Sequence, residues 1–103
     1  MQIPYEISLA GITVAVQMKD DLLKTKGTIG EANYQEQMIY LNPDVAPIQT
    51  LQQTYIHEVT HWILFMMNEH DLRNNEKFVD VFAHFMHQAL TSAKYKETAI
   101  EAD

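Results

Sequence analysis

The chain has 103 residues, 47% of them hydrophobic, which suits one domain with a single modest core and leaves no room for a second. A net charge of -7 opposes binding to nucleic acid and to anionic membrane surfaces. With no cysteine, disulfides and thiolate metal sites are excluded, so any metal must be held by His and carboxylate groups.

The N-terminal stretch MQIPYEISLAGITVAV has no basic start and is interrupted by Pro4, Glu6 and Ser8, so it does not read as a signal peptide. No apolar run reaches the length of a membrane span. Together with the missing cysteines, these features make the cytoplasm the expected location.

From Ile3 to Met18 the chain is rich in Ile, Val, Leu and Thr and reads as one strand or two. The polar segment KDDLLKTKGTIGEANY follows, with Gly27 and Gly30 read as turn punctuation. Gln37 to Leu41 reads as a further strand, closed by Asn42-Pro43. Its edge is a candidate to pair with an extended peptide.

Pro47 suits a first helical turn, where its missing N–H would be unpaired anyway. No Gly or Pro follows it, which predicts helix from there on, broken near Asn68 to Asn75 by NEHDLRNN. The first helix, about Pro47 to Met67, is apolar on nearly every side around Tyr55, Ile56, Val59, Trp62, Ile63, Leu64 and Phe65. It is expected to be the buried central helix, with Trp62, Met66 and Met67 as core. On the second, about Asn75 to Tyr95, Val79, Phe82, Ala83, Met86 and Leu90 share one face. Glu76, Asp80 and His87 occupy the adjoining strip, with His84 at its far edge. The expected fold is α+β: a small N-terminal sheet of two to four strands packed on these two helices, as one domain over 1–103.

His57-Glu58-Val59-Thr60-His61 is an HExxH sequence in the middle of the first helix. The spacing stacks both imidazoles on one helix face within reach of one metal ion. Glu58, about a third of a turn round, reaches water at that metal without ligating it. The competing reading is two ordinary histidines in a buried helix, but burying them beside an unpartnered carboxylate is costly. Catalytic zinc takes three protein ligands, and Glu76 in NEKFVD is the candidate third if the second helix folds back on the first. Asp80, one turn on, then faces the same histidines and can accept the outer N–H of one of them.

HEVTH followed by NEKFVD resembles the gluzincin pattern, HExxH then NExxxD, of the thermolysin-like metallopeptidases, over roughly a quarter of the chain. The layout is also similar to small zincin-like proteins of bacteria and phages. The resemblance implies that His57, His61 and Glu76 bind one zinc ion per chain, that Glu58 is the general base and that Asp80 supports a ligand histidine. A metzincin would need Gly and His where Leu64 and Met67 stand.

The expected function is a zinc-dependent metallopeptidase in which Glu58 takes a proton from water activated at zinc, with a protein or peptide as substrate. The alternatives are a zinc-stabilised binding or structural accessory protein and a hydrolase of non-peptide bonds. Oxyanion or substrate candidates are Tyr34, Tyr40, Tyr55, His70 and His84, the last about 12 Å along its helix from Glu76. His87 reads as a helix-surface or interface residue, Asp71 as a turn residue, and Glu69 and Arg73 as solvated loop charges.

Overall fold

The β-rich N-terminal segment divides into two strands, β1 (Glu6–Leu9) and β2 (Ile12–Met18), paired antiparallel. Ala10 and Gly11 join them in a two-residue turn with φ of 51° and 81°. Positive φ at both turn residues matches the twist of the strands it connects, and glycine adopts it without steric cost. The protein is described from a computed structural model covering residues 1–96, so positions 97–103 of the expected domain lie outside the described residues.

The segment after β2 departs from the expectation of a polar connection. It forms a short helix, α1 (Leu22–Lys26), ended by Gly27, and then a strand, β3 (Gly30–Asn33), before β4 (Met38–Leu41). Leu22 is fully buried and anchors α1. Gly30 is therefore a strand residue and not a turn residue. The sheet order is β1-β2-β4-β3, with β2 parallel to β4 and the other neighbours antiparallel. This corrects the edge assignment too: the strand ending at Leu41 lies inside the sheet, and β3 is the edge.

Alternation along the strands turns Val14, Val16, Ile39 and Leu41 to one face of the sheet, where α2 (Ile48–Met66) covers them with Leu51, Tyr55, Ile56 and Trp62. The fold is thus α+β, a small sheet on a central helix. Trp62 is 1% exposed and its indole N–H donates to the Met38 carbonyl at 3.1 Å. Pro47 stands just before the first turn of α2. Ile63 and Met67 are exposed, because the sheet covers only one side of the end of α2.

The break between the long helices contains a further helical turn, α3 (His70–Arg73), and α4 (Glu76–Ser92) then returns along α2. Asn75 caps α4 by accepting the Phe78 N–H at 3.1 Å. The buried stripe of α4 is Val79, Ala83 and His87, spaced by four residues. Phe82, Met86 and Leu90, which share a face of the helical wheel with Val79 and Ala83, are exposed. His87, expected at the helix surface or an interface, is buried between α4 and α2: its Nε2 is 2.8 Å from the Gln52 Oε1, and the Gln52 amide in turn donates to the Met1 carbonyl. A polar pair therefore occupies a seam position that apolar periodicity assigns to leucine or methionine.

Among the described residues, no helix is long and apolar enough to cross a membrane.

Candidate metal centre

Helix α2 brings His57 and His61 to one face, with ring centroids 4.9 Å apart, and the return of α4 sets Glu76 in front of both. His57 Nε2 lies 3.1 Å from Glu76 Oε1, and His61 Nε2 lies 3.1 Å from Glu76 Oε2. One ligand atom from each of the three residues falls within 4.8 Å of the others. Two atoms bound to zinc at about 2.0–2.1 Å and a tetrahedral angle are about 3.3 Å apart, so the two 3.1 Å separations of Glu76 from the imidazoles fit a zinc-sized cation. The donor set of two imidazoles and one carboxylate suits the same ion.

The outer sides of the imidazoles are also occupied. His57 Nδ1 is 3.5 Å from Asp80 Oδ1, and the His61 ring donates to the Arg73 backbone carbonyl. Such partners fix the ring tautomer and leave the inner nitrogen as a lone-pair donor. Burial pushes the His61 pKa below its usual value, against the pull of Glu76, so the ring is held neutral, the form a metal needs. Glu76 sits in the first turn of α4, where the helix dipole favours a negative charge.

Glu58 is the one buried carboxylate among the described residues, 7% exposed. Burial first, then the charges of Glu76 and Glu31, raise its pKa to about 8, while a hydrogen bond from the Ala32 backbone N–H opposes the rise. It lies beside the histidines in a cavity of about 630 Å³. The cavity is lined by the segment from Gly27 to Gly30, by Thr50, Gln53 and Thr54 of α2, and by Glu76 and Asp80 of α4.

Strand β3 explains how Glu58 reaches its place. A Cβ on Gly30 would stand 2.6 Å from Thr54 Cγ2 and 3.0 Å from Glu58 Oε2, so only glycine lets α2 come this close. The Asn42 N–H donates to the Ile29 carbonyl, with Gly30 opposite Leu41 and Ala32 opposite Ile39. In an antiparallel ladder this register turns the backbone groups of Gly30 and Ala32 away from β4. They line the outer edge of the sheet, where the Ala32 N–H meets Glu58.

The oxyanion and substrate candidates scatter. Tyr40 lies on the sheet face opposite α2, bonded to Glu36, and is removed from the site by strand alternation. Tyr55 is core. His70 is exposed on α3, with its Nδ1 3.2–3.3 Å from the Arg73 guanidinium, and does not line the cavity. His84 meets the cavity-lining Gln53 at 3.2 Å but does not itself line the cavity. Tyr34 is half-buried, stacked on Phe65 and edge-on to Trp62, with its hydroxyl bonded to Arg73. Burial raises its pKa, with smaller upward pushes from Glu58 and Glu76. Asp71 and Glu69 are exposed.

Arg73 is thus no solvated loop charge, since its guanidinium lies 5.2 Å from the Tyr34 ring centroid and 5.7 Å from that of Phe65. Its carbonyl contact to His61 leaves no mark in sequence. The lining residues Thr50, Gln53 and Thr54 do: they continue the polar stripe of His57 and His61 along an otherwise apolar helix. No family model, curated protein or solved structure matches the chain.

Proposed function

We propose that the protein is a small zinc metallopeptidase of gluzincin type, with His57, His61 and Glu76 as ligands, Glu58 as general base and Asp80 as support to His57. The observation that carries this reading is the position of Glu58. A carboxylate is buried at a cost of several kcal/mol unless something compensates it, and a purely structural metal site has no use for one beside an open position. Here it lies beside the candidate ligands His57, His61 and Glu76 and next to the edge strand β3.

Bound zinc would supply Lewis-acid polarisation of a carbonyl and lower the pKa of water to about 7. The chain supplies the rest. Glu58 accepts a proton from water and passes it to the leaving amine. A cation nearby favours its carboxylate form and so fits it for the first of these roles. The outward-facing backbone groups of Gly30 and the Ala32 carbonyl offer an extended peptide a strand to pair with, beside Glu58. Protein or peptide segments in extended conformation are the substrate class this edge favours.

The test compares wild type with Glu58→Gln on a broad peptide library, with zinc measured on the same samples. The variant is expected to keep about one zinc per chain while turnover falls at least ~100-fold. Equal cleavage by both proteins would end the catalytic assignment.

A further inference from the structure

The outer face of α4 carries apolar side chains that nothing among the described residues covers. Val81, Phe82 and Phe85 are 45%, 43% and 63% exposed, and Phe78 is half-buried beside them. This face lies opposite the seam of Val79, Ala83 and His87 that docks α4 on α2. A helix apolar on two opposite sides is one that packs on both. From Val81 to Ser92 there is no Asp, Glu, Lys or Arg, although the chain as a whole is strongly acidic.

The geometry points to a second copy of this chain as the occupant, with two α4 helices packed antiparallel about a two-fold axis at Phe85. Bulk along the outer face is graded: Phe78, Val81 and Phe82 fill its N-terminal half, and Gln88, Ala89 and Ser92 its C-terminal half. A face that tapers in this way is complementary to itself only when reversed. With Phe85 against its twin, Phe78 meets Ser92, Val81 meets Ala89 and Phe82 meets Gln88 of the other copy.

The area is also sufficient. Phe82 and Phe85 together expose about one whole phenylalanine, roughly 200 Å², and Val81, Met86 and Phe78 add about as much again. At the usual apolar share of an interface, such a patch corresponds to roughly 1,300 Å² buried in total, within the range of stable dimers.

This surface is distinct from the metal centre, and its test does not depend on hydrolysis. Sedimentation of the zinc-loaded full chain at about 50 μM is expected to give twice the 11.9 kDa chain mass. Phe85→Glu places two carboxylates face to face and is expected to weaken association ~100-fold or more, with an unchanged circular dichroism spectrum. Because the chain has no cysteine, register can be read by oxidation. Val81→Cys with Ala89→Cys should give a crosslinked dimer, while either single variant should not. A monomer at every concentration, a dimer that survives Phe85→Glu, or crosslinking by Ala89→Cys alone would each overturn the antiparallel pairing.

Discussion

Gly30 and Glu58 fit together so closely that a methyl group on the first would stand 3.0 Å from a carboxylate oxygen of the second. The strand and the helix are thereby registered to each other at the one point where a candidate base meets a candidate substrate edge.

Gly30→Ala is therefore expected to force β3 and α2 apart, at a cost of about 1–3 kcal/mol in stability. The nearer clash is with Thr54 Cγ2, at 2.6 Å. Thr54→Ser removes that atom and should restore part of the loss in the double variant. Chemical denaturation of the four proteins of this cycle checks the coupling. Strictly additive effects would mean that the two residues do not press on one another.

Glu76→Ala is expected to reduce zinc after gel filtration from about one per chain to a small fraction, because two imidazoles alone make an incomplete site. Asp80→Ala leaves all three ligands in place and should weaken zinc binding by about 10–100-fold. Chelator competition separates the two cases. Full metal retention by Glu76→Ala would place the third ligand elsewhere.

The pH dependence of the metal-free protein follows from Glu58. Its folded pKa of about 8 lies above the ordinary 4.5, so the folded state binds the proton more tightly than the unfolded chain does. The stabilisation is complete below about 4.5 and is lost as pH rises toward about 8, by up to ~1.4 kcal/mol per pH unit. In the presence of a chelator, urea midpoints should fall across this window for wild type and stay nearly level for Glu58→Gln. Added zinc should flatten the wild-type slope, since a nearby cation favours the carboxylate.

His87→Ala leaves the buried Gln52 carbonyl without its 2.8 Å partner and opens a space in the α2–α4 seam. A loss of about 2–4 kcal/mol is expected from the unpaired group and the cavity together. Thermal unfolding with the same zinc occupancy in both proteins measures it. An unchanged midpoint would show that α4 is held without this pair.

The long helices, the β-rich N-terminal segment and the relative placement of His57, His61 and Glu76 are legible because each rests on a period or a spacing that a helix or strand converts directly into position. Gly30 was misread because glycine marks turns and close approaches alike, and only the partner helix decides between them. The inward face of α4 is ambiguous for a related reason. Its apolar residues occupy more of the circumference than α2 can cover, so periodicity alone does not say which stripe faces inward. Sequence leaves His87 between helix surface and interface because its partner, Gln52, is on another helix. Tyr40 failed as a candidate by strand parity, which a reading of β4 as an edge strand did not test.

The chain has a single tryptophan, Trp62, sealed from solvent and adjacent in sequence to the ligand candidate His61. Its indole is tied to β4 through the Met38 carbonyl, and its ring touches Tyr34. The molecule therefore carries its own optical gauge. Any shift of α2 against the sheet, whether from metal loading, a tight fit at Gly30 or unfolding, passes through one fluorophore, whose emission colour reports how dry its surroundings remain.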